Sequence, residues 1–435
     1  MFTTKEIILR DYQIKTIESL RSKIAEGKKR IILALPTGAG KTSIASEIIK
    51  KSRDRGKRSL FVAHRQELIY QAHDRLAHWG VNAGVIMNRH RWNGSAVHVA
   101  SIQTLTRRSL PPAELIIVDE AHHSVSPSLK KILDQYKDAV VLGLTATPYR
   151  MDGKPLGDIY EDIIAPISVQ SLIDKGYLIQ PKYYGAKQDL SGVKVKMGEY
   201  DNKELFEKAD KKVLYDGVVE KFKQFGQGKA LVFCINIEHS KKTLQAFIDA
   251  GYKSAHLDCD TREDERKTIL AKFKSGEYQI LTNCAILTEG YDLPDIGTVI
   301  LNRATKSKCL YTQMVGRGLR PAEGKDHCII IDHGNNVYEH GFVEWPEEYD
   351  IHERKEKKQK DKDLKGSLMP VKECPACFKL VHSKSLKCFF CNFQFQMALL
   401  HKSDKKAVFP CSMQFMRSHN FPAFLISSYG LKQMP

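Results

Sequence analysis

Leu35-Pro36-Thr37-Gly38-Ala39-Gly40-Lys41-Thr42 stands between an apolar run at residues 31–35 and a stretch of helical periodicity at 42–55. A strand, a glycine-rich turn and a helix N-terminus in that order form the setting of a phosphate-binding loop. The loop backbone over Thr37, Gly38, Ala39 and Gly40 would aim N–H groups at negative charge, and the two glycines let it come close. Lys41 would reach the β- and γ-phosphates of a nucleotide such as ATP, and Thr42 would offer its hydroxyl to Mg2+. The strict form of the loop has glycine six residues before the lysine; here Leu35 occupies that position. A bland strand–helix turn is the competing interpretation, and the flanking elements weigh against it.

Working outward, further short runs of Val, Ile and Leu lie at 60–63, 97–100, 115–118 and 140–144. They do not alternate with polar residues, which is how strands buried on both faces of a parallel sheet read. The helical stretch at 42–55 puts Ile44, Ala45, Ile48 and Ile49 on one face, with Gly56 as a stop. Repeating strand–helix units predict an α/β layer fold. The pattern restarts at 230–234, 254–257, 279–281, 298–301 and 328–331. Two parallel-sheet lobes are therefore expected, at 1–175 and 213–350, joined by a more polar connecting region at 176–212. Residues 352–366 are nearly all charged and bury no core. They fall in a basic linker at 351–370, ahead of a small module at 371–396 and a tail at 397–435 that matches no pattern.

The run 115–118 ends in Asp119-Glu120-Ala121-His122. Carboxylates at the C-terminal end of a strand are where α/β proteins place chemistry. Asp119 would hold Mg2+ through water, and Glu120 would orient or polarise an attacking water.

The chain of 435 residues carries a formal net charge of +17. Such an excess favours a polyanionic partner, most often nucleic acid. Residues 351–435 hold 16 Lys and Arg against 6 Asp and Glu, so ten of those charges sit in the last fifth. No apolar run approaches the roughly 20 residues a bilayer crossing needs, and no secretory signal is visible, so a cytoplasmic location is expected. Cys234, Cys259, Cys284, Cys309 and Cys328 are scattered singly. Cys374, Cys377, Cys388 and Cys391 instead form two CxxC knuckles ten residues apart. That spacing suits a tetrahedral Zn2+ better than free thiols or disulfides. Phe378, Phe389, Phe390, Phe393 and Phe395 lie among lysines there, and would either stack bases or form the module's own core.

In combination these motifs resemble the superfamily 2 helicases of the DEAH-box type, which use a shorter TGxGKT loop. Asp119-Glu120-Ala121-His122 is similar to the DEAH box. Residues 143–148, GLTATP, resemble the motif that links hydrolysis to lobe movement, which gives His122, Thr145 and Thr147 a coupling role. Arg10-Asp11-Tyr12-Gln13 resembles the element whose glutamine, here Gln13, reads adenine. Residues 61–68 and 101–105 resemble segments that touch the nucleic-acid backbone, through His64, Arg65, Gln103 and Thr104. Residues 313–321, QMVGRGLRP, match the QxxGRxxR motif. The resemblance implies that Gln313 lies near the γ-phosphate and that Arg317 and Arg320 stabilise the transition state. A basic helix face, with those two arginines sharing one side, is the alternative. Residues 287–294 resemble the motif joining ATP to the strand, with Gly290 and Asp292 its best-matched positions and Asn283 a phosphate contact just upstream. With the paired CxxC knuckles, residues 5–396 resemble bacterial RadD (YejH)-type DNA repair helicases and their phage relatives. The resemblance implies two RecA-like lobes, ATP-driven movement on or unwinding of DNA, and genome maintenance. A duplex translocase of a restriction or remodelling assembly, or a clamp that only binds ATP, are the alternatives. Intact Lys41, Glu120 and Arg320 argue against the clamp.

Overall fold

The computed structural model describes residues 8–395, apart from 89, 124–125, 149–155, 186–187, 197, 289–292, 348, 350 and 352–368. The expected roles of Gly290 and Asp292, the charged linker and the tail therefore fall outside the described residues.

In the first lobe, β1 (Arg30–Ala34), β2 (Ser59–Ala63), β3 (Gly84–Ile86), β4 (Val97–Ser101), β5 (Leu115–Val118), β6 (Val140–Thr145) and β7 (Asp162–Ile164) form one parallel sheet. Its order is β3-β4-β2-β5-β6-β1-β7. β2, β4 and β5 are buried along their whole length. Helices on both faces demand this, and it is why their sequence shows no alternation. The helices are α1 (Asp11–Ala25), α2 (Lys41–Asp54), α3 (Gln66–His78), α4 (Ile102–Leu105), α5 (Pro127–Leu133) and α6 (Val169–Asp174).

The second lobe repeats the plan. β8 (Gln180–Gly185), β11 (Lys229–Cys234), β12 (Ser254–Leu257), β13 (Ile280–Asn283), β14 (Ile296–Asn302) and β15 (His327–Asp332) lie in the order β12-β13-β11-β14-β15-β8, all parallel. α9 (Ile237–Asp249), α10 (Glu263–Ser275), α11 (Lys308–Gly316) and α12 (Asn336–His340) belong to it. The connecting stretch adds a hairpin of β9 (Val195–Lys196) and β10 (Glu199–Tyr200), then α7 (Asn202–Ala209) and α8 (Lys212–Phe225).

Residues 180–185, expected in the connecting region, form the edge strand of the second sheet, beside β15. Lys182 and Pro181 interrupt the apolar run, so the stretch does not look like a buried strand. Its outer edge is met by a third unit, an antiparallel pair of β16 (Val371–Glu373) and β17 (Leu380–His382). Tyr184 bridges Lys379, and Leu380 packs over Gly185. This covers an edge that would otherwise template association. The lobes are also strapped from behind: Gly157 donates its amide to Ile351, which is buried in the first lobe's core although it follows the second lobe.

Candidate nucleotide and nucleic-acid site

Both sheets are parallel, so their C-terminal edges collect the loops that carry chemistry. Leu35 N donates to Thr145 O at 2.9 Å, which sets the phosphate-loop candidate beside the end of β6. Gly38 and Gly40 adopt φ of 85° and 79°, a region open to glycine at little cost. A Cβ on Gly38 would meet Leu178 at 2.9 Å, and one on Gly40 would meet the Gln13 amide at 2.5 Å. The loop is thus a cradle that no side chain can enter. Among the described residues, Thr37 Oγ1 is buried with no hydrogen-bond partner, and so is Thr147 Oγ1. Orphaned hydroxyls flanking a glycine cradle fit a polar ligand such as a nucleotide phosphate. Lys41 Nζ rests on Leu35 O at 3.4 Å, and Thr42 opens α2 beside it.

Gln13 braces the loop. Its Nε2 donates to Ala39 O at 3.1 Å, and Tyr12 Oη donates to the same carbonyl at 2.6 Å. The sequence singled out Gln13 but not Tyr12. It also missed Tyr177, which stacks under the Arg10 guanidinium at 4.1 Å, and Leu178, which presses on Gly38. Both come from the connection between the lobes, where the sequence carries no motif.

Asp119 and Glu120 follow β5 directly. Glu120 holds φ of 49° and donates its amide to Asp119 Oδ1 at 3.1 Å. A non-glycine residue in the left-handed region is a local strain of the kind that gathers at functional turns. Gly143 makes the turn possible, because a Cβ there would meet Ala121 Cβ at 2.7 Å. His122 Nδ1 lies 3.2 Å from Thr145 Oγ1 and 3.4 Å from Glu120 Oε2. Thr145 Oγ1 donates to Thr147 O at 2.8 Å and accepts from Thr147 N. The acid, the histidine and the two threonines thus form one cluster. His122 Nε2 also lies 3.4 Å from Cys309 Sγ, at the start of α11 in the other lobe. No sequence motif flags Cys309.

The two lobes meet at this cluster. A Cβ on Gly316 would stand 2.7 Å from Thr37 Cβ, so α11 is packed directly on the phosphate loop. Arg320 lies over the loop too, its Cγ 4.0 Å from the Cβ position of Gly38. Gln313 is buried in α11. Arg317 turns toward its own lobe, donating from Nε and Nη2 to Thr288 O at 3.0 and 2.5 Å. α11 ends at Gly316. The two arginines therefore share no helix face, and the alternative of a basic helix surface does not hold.

At the same C-terminal edges, Gln103 Nε2 donates to His64 O at 3.0 Å and Arg65 Nη1 reaches Ala285 O of the other lobe at 3.5 Å. His64, Gln103 and Thr104 line an open hollow of about 380 Å3 together with Arg107 and Arg108, two cations no motif indicated. Arg266 and Glu67 add an ion pair across the lobes at 2.9 Å. Asn283 departs from expectation. It is fully buried, donates to Val232 O at 2.9 Å and accepts from Leu287 N. It pins a strand end and offers no surface to a phosphate.

The four knuckle sulfurs converge within 4.8 Å of one another. Cys374 and Cys391 stand 3.6 Å apart, and Cys377 and Cys388 3.7 Å. Tetrahedral ligands about 2.3 Å from zinc are separated by roughly 3.8 Å, so the donor set fits. Burial resists ionisation of Cys374, but the amides of Cys377 and Ala376 outweigh it and lower that thiol. Phe390 and Phe395 pack on the cluster as a small core. Phe378 leans on Phe225 of α8, with ring centroids 6.1 Å apart, while Phe389 and Phe393 stay exposed. His382 faces Trp345 and is not one of the four ligands.

Residues 6–150 match the family model described as type III restriction enzyme, res subunit, and residues 212–322 match the helicase conserved C-terminal domain. The 51.5 kDa protein of a Lactococcus phage is 31% identical over 374 residues, covering 84% of this chain and 78% of that protein. The chain belongs to the superfamily 2 helicases. A candidate ATP-dependent helicase of Saccharomyces cerevisiae, IRC3, is 36% identical over 352 residues, 75% of this chain. This superfamily 2 chain spans about half the length of IRC3, 51%. A fragment of a candidate type I restriction HsdR subunit from Vibrio vulnificus superposes with a TM-score of 0.62 at 24% identity, covering 79% of this chain and 68% of the fragment. That likeness supports the paired RecA-like lobes. Among the described residues no helix is long and apolar enough to cross a membrane.

Proposed function

We propose that this helicase-family chain hydrolyses ATP in the cleft between its lobes and uses the cycle to move along or unwind DNA. One observation carries the reading: the glycine cradle of one lobe is roofed by Gly316 and Arg320 of the other. Lys41 holds the β- and γ-phosphates, and Thr42 and Asp119 hold Mg2+, which supplies charge neutralisation at the phosphates. Glu120 orients the water. Arg320 meets the charge that gathers on the transferred phosphoryl group, and Arg317 joins it as Thr288 releases its guanidinium. His122 reports the state of Glu120 to Thr145 and, through Cys309, to α11.

His64, Arg65, Gln103 and Thr104 contact the backbone of the strand. The DEAH spelling and the knuckles favour the RadD-like branch and a role in DNA repair in the cytoplasm of a bacterium or phage-infected host. A second reading has its own support, since the first lobe matches a restriction-enzyme model. There the same motor translocates on duplex without parting strands. Forked DNA with a labelled strand separates the two. ATP-dependent strand release supports unwinding. ATP turnover on duplex with no release supports translocation, and no turnover with any nucleic acid sinks both.

Binding to DNA is expected to weaken steeply with salt, because Lys and Arg contacts release condensed counterions, with a slope of roughly −0.7 per phosphate on single strands. Fluorescence anisotropy across a salt series reads this directly. A flat response contradicts backbone tracking.

The four-cysteine module binds Zn2+ and caps β8. Structural zinc contributes on the order of 10–16 kcal/mol in comparable peptides. Cys374→Ser is therefore expected to reduce bound zinc from one per chain to near zero and to promote association through the uncovered sheet edge, as read by elemental analysis and light scattering. A variant with full zinc content contradicts the assignment.

A further inference from the structure

A cavity of about 510 Å3 lies in the second lobe, between the C-terminal ends of β11, β14 and β15 and the helices α7 and α8. Arg303 and His333 enter it from adjacent strand ends, since Leu301 stands opposite Asp332 in register. Their backbones are fixed. Asn336 Nδ2 donates to both Arg303 O at 2.9 Å and Asp332 Oδ1 at 2.8 Å. A Cβ on Gly334 would collide with the Arg303 carbonyl, so only glycine allows this approach.

Arg303 Nε and His333 Nε2 are both buried without a hydrogen-bond partner, and among the described residues the Arg303 guanidinium is in no ion pair. Glu199 acts on Arg303 through its charge, but its oxygens accept from the Thr305 hydroxyl and the Lys306 amide. Asp189 and Glu220 are in the lining, against Lys208, Lys211 and Lys221. Burial lowers Arg303 and pushes His333 down to about 4. Both residues are half-buried, and a ring or guanidinium N–H held out of water without an acceptor costs a fold unless an anion completes it.

The position points to the source of that anion. Cys284 acts electrostatically on Arg303, and the next residue, Ala285, supplies the carbonyl that Arg65 approaches from the first lobe. The cavity thus opens at the C-terminal edge of the second sheet, the edge whose Ala285 carbonyl faces Arg65 of the first lobe.

We propose that Arg303, with His333, forms a phosphate pocket in the second lobe that takes a backbone phosphate of the bound strand. The inference rests on the nucleic-acid reading above. The two donors suit phosphate, which accepts from a guanidinium and an imidazole together.

The test uses the full chain, a labelled single-stranded oligonucleotide and the variant Arg303→Gln. The variant is expected to bind about tenfold more weakly near physiological salt and to show a salt slope shallower by roughly 0.7. Its melting temperature should hold or rise, because a buried donor without an acceptor is gone. A merely structural arginine would lower the melting temperature and leave the slope unchanged, and that result overturns the proposal. So does a titration in which inorganic phosphate alone shifts the His333 ring resonances at concentrations as low as the oligonucleotide does, which would make the pocket a free-phosphate site. If the wild-type chain binds no oligonucleotide, the nucleic-acid reading fails first. If it binds and Arg303→Gln binds equally well, only the pocket fails.

Discussion

Arg320→Ala is expected to lower nucleic-acid-stimulated ATP turnover by roughly 10³- to 10⁵-fold, the usual cost of losing an arginine from a phosphoryl-transfer transition state. ATP affinity should change far less. The side chain comes from the second lobe and lies over Gly38, whereas the cradle, Lys41 and Thr42 belong wholly to the first. The loss should therefore fall on kcat, with KM nearly preserved, as expected when an interaction is made only in the transition state. Steady-state turnover with saturating single-stranded DNA measures it. An equal rise in KM with kcat intact would mean that Arg320 merely helps to hold the nucleotide.

Glu120→Gln is expected to reduce turnover by about 10²- to 10⁴-fold, the range for a lost general base. The substitution keeps the shape of the side chain, so ATP should still bind. Glu120 occupies a left-handed turn that Gly143 makes room for, and glutamine should tolerate that turn about as well as glutamate. Lys41→Ala provides the contrast: it removes the phosphate contact and should cost ATP binding along with turnover. Equilibrium binding of a fluorescent ATP analogue beside turnover separates the two effects. Stimulated turnover retained in both variants would refute the assignment of the site.

Much of this was legible in the sequence because parallel sheets leave a simple trace. Strands such as β2 and β5, buried on both faces, read as unbroken apolar runs, and the phosphate loop and the acid turn follow such runs directly. What stayed hidden depends on tertiary contact. β8 reads as a connection because Pro181 and Lys182 spoil its pattern, and only pairing with β15 and capping by Leu380 explain it. Tyr177, Leu178 and Cys309 matter through what they touch across the lobes, which no local spacing encodes. Asn283 sits where a phosphate contact was expected, yet its amide is spent on Val232. Arg303 lies between two recognisable motifs and belongs to neither. Only the fold shows that its Nε is buried with no hydrogen-bond partner among the described residues.

Both lobes complete the proposed ATP cleft. Its most direct test compares the affinity of ADP–aluminium fluoride, a mimic of the transferring phosphoryl group, with that of ATP in the wild-type chain and in Arg320→Ala, each with DNA bound. The wild type is expected to hold the mimic far more tightly than ATP, and the variant to lose this preference while still binding ATP. A variant that keeps the full preference would contradict this, because the second lobe would then contribute nothing to the reacting phosphate.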